Sequence, residues 1–85
     1  MTREKAYEVL NEIFREVFDD ETLTVGPATT AEDIEDWDSL EHINLVVAVE
    51  KKFGVKFNIG EVNGMNNVGE MVETILKRAG QGAEG

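Results

Sequence analysis

The sequence predicts a small all-α fold: a helical bundle of three main helices plus a short extra helix, with a long loop between the first and second. Three observations predict it. Apolar residues recur three and four apart in three separate segments, the spacing of an amphipathic helix. The one alternating stretch, Val55-Lys56-Phe57, has no second stretch to pair with as a strand. And 85 residues without a cysteine leave helix packing or a bound partner to supply the stability.

The first helix is placed over about residues 3–18. Ala6, Val9, Leu10, Ile13, Phe14, Val17 and Phe18 form its apolar stripe, with Glu4, Glu8, Glu12, Arg15 and Glu16 off it. Thr2 is the expected N-cap. From Asp19 to Trp37 the periodicity stops, and Gly26-Pro27 together with the Thr and acidic clusters favour a loop. Loops of this length inside a small domain are often functional or locally ordered. Leu23, Val25, Ile34 and Trp37 are expected to pin this one to the helices.

A second helix begins around Asp38 or Ser39. Leu40, Ile43, Val46, Val47, Val49 and Phe53 give it an apolar face wider than one stripe. Gly54 is placed for a left-handed C-cap, and Lys51 and Lys52 complement the helix dipole at that end as Asp36, Asp38 and Glu41 do at the other. Val55-Lys56-Phe57 reads as an extended connector. Gly60–Asn66 has room only for a short helix or turn around Glu61-Val62. Asn67 caps the last helix with Glu70 as its capping-box partner, and Val68, Met71, Val72, Ile75, Leu76 and Ala79 form its apolar face. Residues 1–79 are thus expected to be a single helical domain, and residues 80–85 a disordered C-terminal tail.

Charge narrows the function. The net charge is −10, and residues 19–50 carry ten acids and no base, while the flanking segments are nearly neutral. Such a balance argues against nucleic acid and anionic membranes and points to basic protein partners. No stretch approaches the ~18 apolar residues of a membrane span, and the N-terminus runs into an amphipathic pattern rather than a signal-peptide core. The expectation is a soluble, cytoplasmic, monomeric protein.

Catalysis finds little support. The absence of cysteine removes thiol nucleophiles, and a single histidine, His42, rules out a multi-His metal site. Asp38, Ser39 and His42 are helical neighbours and by themselves create no oxyanion hole or substrate cleft. The favoured reading of His42 is an exposed or half-buried helix residue. A calcium loop fails from either start: counting from Asp36 puts Leu40 at the fifth position and Val47 at the twelfth, and counting from Asp33 puts Asp38 at the sixth. No enzyme activity, catalytic residue or dedicated metal site is expected.

The remaining constellation is Asp36-Trp37-Asp38-Ser39-Leu40-Glu41 at a loop-to-helix junction. Ser39 lies at the positive end of a helix, where unpaired N–H groups favour a phosphoryl group on its hydroxyl. A plain cap is the alternative, and Asp38 serves that role equally well.

The wider run, Asp33 through Val55, resembles the modification region of acyl carrier proteins: Asp-Ser-Leu opening a helix, an apolar helix face, and Glu-x-x-Phe-Gly closing it. With the Asn67-Val68 start of the last helix, the resemblance covers residues 3–79. It implies that Ser39 carries 4′-phosphopantetheine, donated by coenzyme A through a phosphopantetheinyl transferase. The arm's thiol then holds acyl intermediates as thioesters for fatty-acid, polyketide or related biosynthetic enzymes, which explains how a chain without cysteine carries a thiol. The resemblance further implies that Asp36, Asp38, Leu40, Glu41, Ile43 and Val47 contact partners with basic docking patches. Val46, Val49, Phe57, Val62, Met65 and Met71 match the places that enclose a folded-back acyl chain in fatty-acid carriers, although ordinary core describes them as well. Trp37, Asn44 in place of an acid, and Lys51-Lys52 resemble stand-alone or specialised carriers more than housekeeping ones. The competing reading is an unmodified acidic helical adaptor for a basic partner, in which Ser39 only caps a helix.

Overall fold

Thr2 starts the first helix as expected: its hydroxyl accepts the Lys5 N–H at 3.1 Å. A computed structural model describes residues 2–84, with side chains through Ala79. The helices follow in the order α1 (Arg3–Val17), α2 (Ser39–Phe53), α3 (Ile59–Asn63) and α4 (Val68–Glu84). Among the described residues there is no strand, and Val55-Lys56-Phe57 is an extended connector with Val55 buried.

The α1 stripe buries Ala6, Leu10, Ile13 and Phe14 and packs against both α2 and α4. Leu45, Val46 and Val49 from α2 and Val68, Met71, Val72 and Ile75 from α4 complete the core. Each fully enclosed Leu, Ile or Phe contributes about 1.5–3 kcal/mol by leaving water. The wide apolar face of α2 is in fact two faces. Leu45, absent from the expected stripe, is fully buried, whereas Leu40, Ile43 and Val47 point to solvent. Spacings of three and four connect residues 40, 43 and 47, so periodicity alone found a stripe without saying which one faced inward.

The long loop is held from α1 and α4. Val25, Ile34 and Trp37 are buried and Leu23 is partly so. The Asn11 side-chain Oδ1 accepts the Val25 N–H at 2.7 Å, and Arg15 Nε donates to the Leu23 backbone carbonyl at 2.7 Å. Farther along, the Pro27 and Thr29 carbonyls accept the Gly69 and Val68 N–H groups, each at 2.9 Å. Those donors begin α4 and have no partner within the helix, so the loop completes their bonding. The approach is close: a Cβ on Gly69 would lie 2.9 Å from the Pro27 carbonyl oxygen.

Gly54 closes α2 in the left-handed conformation, φ 68° and ψ 36°, and its N–H bonds to the Glu50 carbonyl. Asn58 caps α3 through a capping box with Glu61. Asn67 accepts the Glu70 N–H at 2.8 Å, but the Glu70 carboxylate bonds the Asn66 N–H at 2.9 Å rather than that of Asn67, shifting the expected box by one residue.

The backbone of α4 is helical through Glu84, and Gly85 lies outside the described residues. Glycine lowers helix propensity by about 1 kcal/mol but keeps its N–H, and without proline the ladder extends from the packed turns before it.

Candidate functional site

Asp38, not Ser39, is the cap of α2. Its backbone is extended, and its Oδ1 accepts the Glu41 N–H at 2.8 Å. Ser39 is therefore the first helical residue. It is exposed, and among the described residues no group engages its hydroxyl. A preferred capping serine would spend that oxygen on the backbone; here it is left available at the positive end of a 15-residue helix.

The residues expected to contact partners lie beside this hydroxyl or farther along α2. Asp36 and Asp38 are exposed, and Glu41 is half-buried with its carboxylate accepting from Asn44 at 2.9 Å. Leu40, Ile43 and Val47 are 70%, 53% and 44% exposed and share one face of α2, with Lys51 one turn beyond them. Burying no part of the core, these side chains are free to contact something else.

The six expected acyl-chain residues divide. Val46, Val49, Met65 and Met71 are buried in the core, and Phe57 and Val62 pack partly against it. Only Val62 and Met65 also line a cleft of about 510 Å³ whose rim includes Asp38 and Ser39. Trp37, His42, Ile43, Asn63 and Asn66 contribute to its walls.

His42 is half-buried, and both ring nitrogens are committed. The Trp37 indole Nε1–H donates to Nδ1 at 3.1 Å, and Nε2 lies 3.0 Å from the Val62 carbonyl oxygen. The indole also stacks on the imidazole, with centroids 5.8 Å apart and planes at 22°. Because the indole can only donate, Nδ1 is the acceptor of this pair and Nε2 is left to face the Val62 carbonyl as the donor. No nitrogen remains to take a proton from Ser39, which removes the Ser-His-Asp arrangement on geometric grounds. Sequence reasoning missed this relay, although a buried indole N–H needs an acceptor and His42 stands five positions on. It also missed Ile59, which is 80% exposed at the start of α3.

A second anchor ties α3 to α4. Arg78 of α4 donates through Nε to both Glu61 carboxylate oxygens at 3.1 Å. This bond, then the Asn58 N–H, holds the Glu61 carboxyl below its ordinary range against a smaller opposing effect of desolvation. The same pairing raises the Arg78 guanidinium.

Among the described residues no group of three His, Asp or Glu side chains converges to hold a metal ion, and no helix is long and apolar enough to cross a membrane. A family model described as a phosphopantetheine attachment site matches residues 8–75. The chain is 37% identical over 75 residues to an acyl carrier protein of Acidothermus cellulolyticus, covering 88% of this chain and 89% of that one. It is 36% identical over 76 residues to a meromycolate extension acyl carrier protein of Mycolicibacterium smegmatis, covering 89% and 77%. The solution structure of a holo acyl carrier protein from Geobacter metallireducens superposes with a TM-score of 0.88 at 38% identity, covering 93% of this chain and 91% of that one.

Proposed function

The chain belongs to the acyl carrier protein family, a carrier of 4′-phosphopantetheine and not an enzyme, and from that premise we propose that Ser39 is the residue to which the arm is joined. The observation that carries the assignment is the division of labour at the start of α2. Asp38 satisfies the helix, so the Ser39 oxygen stays free, exposed and beside backbone N–H groups that favour a phosphoryl anion. Chemically, a bond forms from Ser39 Oγ to the pantetheine-side phosphorus of coenzyme A. The pyrophosphate P–O bond breaks, the adenosine bisphosphate leaves with its electron pair, and the serine proton passes to the transferase. Bound, the group supplies the thiol that carries acyl cargo as a thioester.

Interaction with a transferase and with biosynthetic enzymes follows from the family. Which surface they use is part of the proposal. The strip Leu40–Ile43–Val47 supplies apolar contact, with Asp36, Asp38 and Glu41 at its Ser39 end. Its far end is positive, with Lys51 and Lys52 followed by Lys56. Such a bipolar strip fits partners that place basic side chains around their own reaction centre and acidic ones about 18 Å away, the rise from residue 39 to 51. Residues 1–79 form the carrier unit in this reading.

Incubation with coenzyme A and a broad-specificity phosphopantetheinyl transferase is expected to add one phosphopantetheine to the wild type and none to Ser39→Ala. An unlabelled wild type defeats the reading. Labelling that survives the substitution moves the attachment elsewhere.

A further inference from the structure

We infer that His42 is a latch that holds α3 against α2 beside Ser39, and that its release governs whether cargo passes from the Ser39 cleft into the space between those helices. The premise is how little else holds α3. Its five residues include none that is fully buried, so the hydrophobic burial that fixes the other helices is largely missing here. Polar anchors take its place. From α4, Arg78 grips Glu61; from α2, His42 Nε2–H donates to the Val62 carbonyl near the end of α3.

The latch is aimed by the core. Trp37 is 7% exposed and packs edge-on against Phe14 with centroids 5.3 Å apart. Its indole N–H fixes His42 Nδ1 as an acceptor, which leaves Nε2 as the donor facing α3. Trp37 is thus a positioning residue for His42, as His42 is for α3. The relay also stands in the way of cargo. Trp37, His42 and Val62 share the cleft with Ser39 and Met65, and Met65 belongs to the same buried cluster as Val46, Val49 and Met71. While the relay is closed, Trp37, His42 and Val62 are held together as one wall of the cleft that opens at Ser39.

The cargo half of the inference rests on Ser39 as attachment point; the latch half does not. The test therefore begins on the unmodified chain. In His42→Phe, which keeps an aromatic ring but loses both bonds, amide exchange at Val62–Met65 is expected to rise about five- to tenfold, the worth of about one net hydrogen bond to α3. Exchange at Leu10 and Ile75 stays unchanged. His42→Gln places an amide donor near the position of Nε2 and is expected to restore most of the protection, whereas Trp37→Phe, which leaves His42 unaimed, gives an intermediate rise. Unchanged α3 exchange in His42→Phe overturns the latch, and so does a rise shared equally by Leu10 and Ile75.

The second arm loads wild type and His42→Phe with an octanoyl thioester and measures its cleavage by hydroxylamine. Severalfold slower cleavage in the variant, where the chain can withdraw, is expected. Equal rates overturn the gating of cargo. Failure of the wild type to accept the arm at all strikes the Ser39 assignment and leaves the exchange results standing.

Discussion

The Asp38 carboxylate caps α2 through the Glu41 N–H at 2.8 Å, and the Ser39 hydroxyl, one residue on, is spared that task. The proposed attachment residue is thereby left without a capping role. Asp38→Ala is expected to cost about 1 kcal/mol of stability through the lost cap, and Asp38→Asn to recover most of it. Ser39→Ala is expected to stay within about 0.5 kcal/mol of wild type, because an exposed first-turn position carries no packing. Urea unfolding of the three variants measures the contrast.

Two backbone positions make opposite predictions. Asp19, just past the Phe18 cap of α1, has φ 51°, left-handed without being glycine, so Asp19→Gly is expected to stabilise by up to about 1 kcal/mol. Gly69 faces the Pro27 carbonyl across the loop-to-α4 contact, and its substitution by Ala forces the two apart. A loss of about 1–3 kcal/mol is expected, as for other overpacked sites. Thermal melts distinguish the signs.

Acid should loosen α3 ahead of the bundle. The Glu61 carboxyl is lowered chiefly by Arg78, so its contribution is complete above the ordinary glutamate value of about 4.3 and disappears as the pH falls through the lowered folded value. Arg78 stays protonated throughout this range. Wild-type α3 amides are expected to exchange more slowly than those of Arg78→Met at neutral pH, and the difference, corrected for intrinsic rates, to vanish in acid. A difference that persists unchanged below that window would separate α3 from this ion pair.

Docking charge is testable at each end of the strip. Glu41→Lys is expected to slow transferase modification at low salt, with the deficit shrinking as salt rises. Lys51→Glu addresses the far end and is expected to weaken association with enzymes that carry an acidic counterpart there, leaving the unfolding free energy within about 0.5 kcal/mol. Salt-independent rates in Glu41→Lys would remove electrostatics from this contact.

Much of the fold was legible because its signals are local. Thr2, Gly54 and Asn67 are chemical punctuation, and each ends or begins a helix in the way its side chain or its lack of one dictates. The same locality limits the reading of α2, where one wide apolar face omits the buried Leu45 and joins the exposed Leu40 to Val46 and Val49. Which of two apolar faces meets α1 is settled by tertiary packing. The Trp37–His42–Val62 relay joins residues up to 25 positions apart through a ring and a backbone carbonyl, and no periodicity encodes that. The Gly69–Pro27 contact is hidden for the same reason.

The most direct test is fragmentation of the tryptic peptide from the modified chain. Residues 16–50 contain no lysine or arginine, so one peptide, Glu16–Lys51, carries Ser39 together with Thr22, Thr24, Thr29 and Thr30. The account predicts a single phosphopantetheine on this peptide, with fragment masses that place it on Ser39. A group on any of the four threonines, or outside this peptide, would contradict it.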